Sequence, residues 1–184
     1  MDSVTDHAGH VVQLHDNIFY HVALPPKKTP LYHNAFLGKG LTPTVSAIGL
    51  ADAVTPYSSG GRQNPKELLW DDVRKKIDEC LPSRLGAMFL VTSEEHAHAI
   101  KAKWFANEER IILRARVVVG SVTFIADAKL LDAAQPDWRT SAERYWKAEA
   151  SSDPNPEVIV HGRVYFPDWE KPPFGQFSGM LPGS

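Results

Sequence analysis

Hydrophobic residues in this chain occur either in short continuous runs or at helical spacing, and the continuous runs are more common. Runs rich in β-branched or aromatic residues and bounded by turn residues predict strands, which cover residues 18–24, 85–91, 110–119, 121–127 and 157–164. Segments with helical spacing or capping patterns lie between them. Because strands dominate and helices interrupt them at intervals, the predicted fold class is α+β.

The clearest helix start lies at Asn64, an N-cap residue followed by proline at the first helical position and by Glu67 where a capping box places it. The buried stripe of this helix is predicted to run to about residue 81 at four-residue spacing. Its members are Leu69, Val73 and Ile77.

Three further patterns predict helices elsewhere in the chain. Residues 92–95 read as a capping box, with Thr92 as a candidate N-cap, and residues 140–143 read as another. The segment 31–43 favours a short helix closed by glycine, followed by an extended Leu-Thr-Pro exit.

The 184-residue length is typical of one domain with a substantial core. We expect a flexible N-terminal arm over residues 1–16, a single catalytic domain over 17–168, and a Pro/Gly-rich tail over 169–184. The turn-rich segment 55–62, which contains Tyr57, is long enough to indicate a functional or mobile loop.

Composition narrows the function classes. The chain is 43% hydrophobic and 23% charged, with a formal net charge of −2, so its overall charge does not attract nucleic acid or membranes, although a local basic groove remains open. Cys80 is the only cysteine, which excludes an intrachain disulfide and favours a reducing, cytoplasmic compartment. No signal peptide or membrane-spanning run is visible, and export by a signal-independent machine stays open.

The histidines do not form a metal motif. His7, His10 and His15 have no cysteine or carboxylate at ligand spacing, so no metal site is predicted. The segment 156–164 is more informative, because Glu157 opens a β-branched run directly after a turn. A strand end is a rigid mount for a catalytic group. The simpler interpretation is a solvated charge at the strand edge.

Four features in chain order together carry a resemblance. They are Tyr20-His21 on an early strand, Ser83-Arg84 before a middle strand, Thr92-Ser93 after it, and Glu157 at the start of a late strand. This order resembles the ADP-ribosyltransferase superfamily, whose members use a strand His or Arg, a middle strand followed by a Ser/Thr or Tyr element, and a late-strand Glu. Within it, the chain is similar to the bacterial toxin-like branches that include the DarT-type enzymes.

The resemblance implies an ADP-ribosyltransferase-like fold with a split antiparallel sheet, and NAD held in a cleft between sheets. It implies that Glu157 is the catalytic carboxylate and that His21 orients NAD through the adenosine-side ribose. It further implies a macromolecular acceptor, either nucleic acid or protein, and an antitoxin or immunity protein as partner. The residues implied to bind NAD are Tyr20, His21, Val22, Tyr57, Arg84, Phe89, Thr92 and Ser93.

Several of these residues have alternative roles. Arg84 would meet a phosphate or would simply pair with a surface carboxylate. Phe89, like Tyr57 or Tyr145, would stack on nicotinamide, or it would belong to the core. Thr92 would steady the nicotinamide ribose or would only cap its helix. Trp146 is expected to pack beneath the Glu157 strand.

Departures from the family pattern restrict the acceptor. Many arginine-modifying members carry Gln or Glu two residues before the catalytic Glu, whereas this chain has Asn155 there. Val91-Thr92-Ser93 only partly matches the Ser-Thr-Ser triplet of one branch. No glycine-rich Rossmann fingerprint is present. The primary hypothesis is therefore an NAD-dependent mono-ADP-ribosyltransferase that does not modify arginine. The alternatives are an RNA 2′-phosphotransferase-like enzyme and a non-catalytic binding module on the same scaffold.

Overall fold

The computed structural model describes residues 2–48 and 64–177. Contacts group the chain into two compact units, where the sequence predicted a single domain over residues 17–168. The first unit comprises Met1–Pro43, Val91–Gly120 and Arg163–Ser184, and the second comprises Thr44–Leu90 and Ser121–Gly162. The boundaries fall at the ends of strands or in the turns between them.

The described residues form an α+β structure, which confirms the predicted class. The strands are β1 (Ser3–Thr5), β2 (Val11–Gln13), β3 (Phe19–Ala23), β4 (Leu41–Pro43), β5 (Met88–Leu90), β6 (Ile111–Val117), β7 (Val122–Asp127), β8 (Pro156–His161) and β9 (Arg163–Tyr165). The α-helices are α1 (Leu31–Leu37), α2 (Pro65–Ile77), α3 (Glu94–Trp104) and α4 (Trp138–Trp146). Every described strand pair is antiparallel.

The second unit is built on a three-stranded sheet in the order β5-β8-β7. The central strand β8 pairs with β5 through Leu90 and Val158, and with β7 through Ala126 and Glu157. The buried core between this sheet and helices α2 and α4 includes Trp70, Val73, Ala142, Tyr145, Trp146 and Ile159. Trp146 packs in this core with Ile159 of β8, as the sequence predicted.

Helix α2 starts as predicted, because the Asn64 side chain accepts a hydrogen bond from the Lys66 backbone N–H. Its buried stripe differs from the prediction. Trp70 and Val73 are 1% and 2% exposed, whereas Ile77 is 37% exposed. The reason is that the helix ends at Ile77, after which Asp78 is extended, so the last turn does not reach the core.

Helix α4 begins earlier than the capping pattern at residues 140–143 predicted. The helix starts at Trp138, and no side chain caps its first turn. Ser141 and Ala142 are consequently buried inside the helix instead of preceding it. The short turn Gln135–Asp137 leads directly into the helix, so the start is set by the preceding segment and not by a Thr/Ser cap.

The first unit contains a four-stranded sheet in the order β3-β6-β9-β4 and a β1-β2 hairpin. The hairpin occupies residues predicted to be a flexible arm, so this part of the prediction does not describe the structure. Val12 and Leu14 are buried in one cluster with Leu41 and Val118, and Leu14 bridges to Val118. The alternation of these two apolar residues with polar neighbours gives the hairpin one buried face.

The turn between α1 and β4 requires glycine at one position. Gly40 has φ +89°, and a Cβ placed there would lie 2.5 Å from the Tyr165 ring and 2.6 Å from the Trp169 ring. The Gly38-Lys39-Gly40 sequence therefore closes α1 and admits two aromatic side chains, in agreement with the predicted glycine-closed helix and extended exit.

The described residues contain neither a membrane-spanning helix nor a metal-binding cluster. Over 2–48 and 64–177, no helix combines the length and the hydropathy needed to cross a membrane. The same part of the chain contains no group of three His, Cys, Asp or Glu side chains arranged to hold a metal ion.

Candidate active site

Glu157 is the second residue of β8 and lies opposite Ala126 in the sheet register. It is only 7% exposed, so it is not the solvated edge charge of the simpler interpretation. The four residues after Pro156 in this strand are all buried. A carboxylate in such a position must be compensated by hydrogen bonds or by an opposite charge.

Arg84 and Tyr145 compensate the Glu157 carboxylate. The Arg84 Nη1 group and the Tyr145 hydroxyl both donate hydrogen bonds to the same oxygen, Glu157 Oε1. Arg84 Nη1 also donates to the Tyr145 hydroxyl oxygen at 2.6 Å. The three groups form a closed triangle of hydrogen bonds in which every partner is buried.

A second carboxylate completes the cluster. Arg84 Nε donates to Glu67 Oε2 at 3.2 Å, so one guanidinium faces two carboxylates. We refer to Glu67, Arg84, Tyr145 and Glu157 as the Arg84 network. Glu67 lies in the first turn of α2, where it was predicted to complete a capping box.

The aromatic rings of two neighbours enclose the guanidinium. The Arg84 Cζ atom lies 4.8 Å from the centre of the Phe89 ring and 5.4 Å from the centre of the Tyr145 ring. Phe89 also packs against the core of the second unit. Desolvation by these rings strengthens the electrostatic interactions of Arg84, because less water screens them.

The electrostatics of the Arg84 network favour a charged arginine and a neutral tyrosine. Burial lowers the pKa of Arg84, but the adjacent Glu157, Tyr145 and Glu67 outweigh burial, so this pKa lies well above its ordinary value. Burial raises the pKa of Tyr145 well above its ordinary value; Arg84 opposes this rise and Glu157 adds to it. Tyr145 is therefore an O–H donor at every physiological pH.

The two oxygens of Glu157 are not equivalent. Both hydrogen bonds fall on Oε1, and among the residues that the structure describes none reaches Oε2. The side chain as a whole keeps 9% of its exposure. Glu157 thus has one oxygen, Oε1, that is held by two donors, while no described residue hydrogen-bonds to the other.

Asp127 fixes the loop that leads into Glu157. Its carboxylate accepts backbone hydrogen bonds from Ser151 at 2.7 Å, Asn155 at 2.8 Å and Lys129 at 2.9 Å. Burial raises the pKa of Asp127, but the hydrogen bonds from Ser151, Asn155 and Lys129 lower it below its ordinary value. The start of β8 is therefore anchored on both the sheet side and the loop side.

The predicted NAD-binding residues of the early strand lie in the first unit. Tyr20 and Val22 pack against a cluster that contains Val91 and Ala97, and His21 points to the other face. On that face the His21 ring lies 6.5 Å from the ring of Phe166. The alternation of β3 predicted from the sequence is confirmed, while the contacts of His21 with NAD stay a prediction.

Two of the remaining predicted residues lie at the start of α3, and a third lies outside the described part of the chain. Ser93, and not Thr92, caps α3, since the Ser93 hydroxyl accepts a hydrogen bond from His96 N at 3.1 Å. Thr92 is exposed just before this cap, in the first unit. Tyr57 lies outside the described residues.

Comparison with known families identifies one match. Residues 47–168 match the family described as "Protein of unknown function (DUF2441)". This match covers well over half of the chain. The chain belongs to the DUF2441 family. No curated protein matches it.

The DUF2441 match contains the whole Arg84 network and the Asp127 anchor, whereas Tyr20, His21 and Val22 precede it. The part of the chain that defines DUF2441 membership is therefore the part that holds Glu157. The sequence singled out Glu157 and Arg84 as candidates, but it did not single out Glu67, because the position of Glu67 at a helix start has a complete local explanation.

Proposed function

We propose that this DUF2441 protein is an NAD-dependent mono-ADP-ribosyltransferase with an ADP-ribosyltransferase-like fold, and that Glu157 is its catalytic carboxylate. The observation that supports this most directly is the asymmetry of Glu157. Its Oε1 is held by Arg84 and Tyr145, while Oε2 makes no hydrogen bond to any described residue. A carboxylate held on one oxygen is preorganised to use the other.

The chemistry requires a group of this kind. NAD supplies ADP-ribose: the bond between nicotinamide and the ribose C1′ breaks, its electron pair leaves with nicotinamide, and the sugar becomes cationic. In the proposed role, Glu157 Oε2 accepts a hydrogen bond from a hydroxyl of that ribose and stabilises the cation. It then takes the proton of the attacking acceptor as the new bond to C1′ forms.

The other predicted residues keep their predicted roles in this proposal. β8 pairs directly with β5, the middle strand, whose chain continues through Val91 into the Ser93 cap of α3. His21 lies on an early strand and retains its predicted role of orienting NAD. The acceptor, a nucleic acid or a protein other than an arginine side chain, and an antitoxin partner remain part of the hypothesis.

Nicotinamide release from NAD by the purified protein tests the proposal. We expect release by the wild type and loss of about two orders of magnitude or more in Glu157→Gln, since a general base typically contributes that much. Glu79→Gln is the matched control, because Glu79 is an exposed carboxylate of the same unit outside the Arg84 network. It should release nicotinamide at the wild-type rate.

Two outcomes would reject the proposal. One is no nicotinamide release by the wild type with NAD alone or with added DNA, RNA or cell lysate, which would favour the binding-module hypothesis. The other is equal release by the wild type and Glu157→Gln. Circular dichroism melting of each variant ensures that a loss of release is not a loss of folding.

A further inference from the structure

In the Arg84 network, a buried cation and a buried hydroxyl both donate hydrogen bonds to the same oxygen of Glu157, Oε1. The sequence offered Arg84 as a phosphate ligand or as the partner of a surface carboxylate, and Tyr145 as a stacking ring. In the structure their polar atoms make hydrogen bonds to Glu157 Oε1 instead. Arg84 has a side-chain exposure of 6%, so most of it is removed from contact with a ligand.

We infer that Arg84 and Tyr145 are positioning residues, which compensate the buried carboxylate of Glu157 and aim its Oε2 at the substrate, and that Glu67 fixes the orientation of Arg84. This inference rests on the proposed function. It assigns catalytic consequences to three residues that need not touch NAD.

Charge supports the first half of the inference. A buried carboxylate tends to take up a proton, and an adjacent guanidinium opposes that tendency. The charged and titratable side chains that face Glu157 within the Arg84 network are Arg84, Tyr145 and, through Arg84, Glu67. Tyr145 is neutral, so Arg84 is the group that favours the anion.

Geometry supports the second half. A carboxylate rotates about its last side-chain torsion over a broad range when nothing holds it. Two donors on Oε1, together with Glu67 on Arg84 Nε and rings on the face of the guanidinium, fix that torsion.

A purely structural role makes a different prediction. A buried ion pair is often no more stabilising than packed apolar side chains of the same volume. If the network served stability alone, its variants would alter melting but leave the rate per folded molecule and its pH profile unchanged.

The experiment compares nicotinamide release by Arg84→Met, Arg84→Lys, Tyr145→Phe and Glu67→Gln with the wild type over pH 4–8. Arg74→Met is the matched control, because Arg74 is also a buried arginine of the second unit, paired at 2.9 Å with Asp71 and outside the network. We expect Tyr145→Phe to lower kcat by about ten- to a hundredfold with KM for NAD unchanged, as for loss of one hydrogen bond to a charged group.

The arginine variants separate charge from geometry. In Arg84→Met the acid limb of the kcat profile should move to higher pH, because a carboxylate without an adjacent cation takes up its proton more readily. Arg84→Lys keeps the charge but loses the fork of donors, so it should keep the acid limb and lower kcat. Glu67→Gln should lower kcat less than either. The inference is overturned if Arg84→Met, per folded molecule, behaves like Arg74→Met in both kcat and acid limb.

A second readout separates this inference from the proposed function. In protein labelled with carboxyl-¹³C glutamate, the Glu157 signal is identified by its absence in Glu157→Gln, and its titration is followed by NMR. A titration midpoint at higher pH in Arg84→Met than in the wild type supports the inference even if the wild type releases no nicotinamide, in which case only the proposed function fails. An unchanged midpoint overturns the inference.

Discussion

Two arginine–carboxylate pairs, one in each unit, show how differently the same chemistry is used. Arg114 and Asp168 in the first unit form a two-pronged pair at 2.8 and 2.9 Å, with side chains 49% and 27% exposed. Arg84 and Glu157 in the second unit are 6% and 9% exposed; both hydrogen-bond to Tyr145, and Arg84 also pairs with Glu67.

The two pairs differ in hydrogen-bond geometry, since Arg84 reaches Glu157 through one nitrogen only, but the larger difference lies in their exposure to solvent. Water and salt screen the Arg114–Asp168 pair, and such exposed pairs contribute little to stability. The Arg84–Glu157 pair is desolvated, so its attraction is strong but removal of either partner leaves an uncompensated buried charge. Burial makes the second pair costly to disturb and suitable for holding a reactive group.

The largest effect on stability is expected from Arg84→Ala. It leaves Glu157 buried without its cation and should lower the free energy of unfolding by about 3–5 kcal/mol, measured by urea denaturation at pH 7. The double variant Arg84→Met, Glu157→Leu should recover most of that loss, because it removes both charges and refills the volume. A double variant no more stable than Arg84→Ala would contradict this account.

A smaller effect is expected from Tyr145→Phe. The ring, which packs edge-on against Trp146 with centres 4.9 Å apart, is retained, and only the hydroxyl is lost. Because this hydroxyl donates to a charged group, the free energy of unfolding should fall by about 1.5–3 kcal/mol in the same denaturation assay. A loss as large as that of Arg84→Ala would show that the hydroxyl and not the guanidinium compensates Glu157.

The exposed pair should respond weakly. Arg114→Ala is expected to lower the free energy of unfolding by about 1 kcal/mol or less. Adding 1 M NaCl should remove most of that difference, because salt screens exposed charges. The loss caused by Arg84→Ala should persist in the same salt. The fraction of each loss that remains in 1 M NaCl therefore measures how strongly burial protects the pair from screening.

The smallest effect concerns pH. The hydrogen bond from Arg114, with Lys171 adding to it, outweighs burial and lowers the pKa of Asp168 from 3.8 to about 2. A carboxylate whose pKa is lower in the folded state stabilises that state above its unfolded value and loses this contribution as pH falls through the folded value. The difference between wild type and Arg114→Ala should therefore be constant above pH 5 and shrink between pH 4 and pH 2. A constant difference down to pH 2 would contradict the lowered pKa.

The local sequence was sufficient for most of the elements. The β-branched run that follows Pro156 predicts β8, and Asn64-Pro65 predicts the start of α2, because strand and cap propensities depend on neighbours in the chain. Local signals were misleading where tertiary packing decided. The polar N-terminal residues became a hairpin with Val12 and Leu14 buried, and the pattern at 140–143 fell inside α4.

The sequence alone determined that the chain is an α+β protein and that a carboxylate opens its late strand. Only the tertiary structure decided which side chains surround that carboxylate. Arg84 and Glu157 are 73 residues apart, and Arg84 and Tyr145 are 61 apart. No local propensity encodes contacts at such separations. They arise because α2, α4 and the central strand β8 bury their apolar faces together, and the desolvated polar groups among them must then pair with one another.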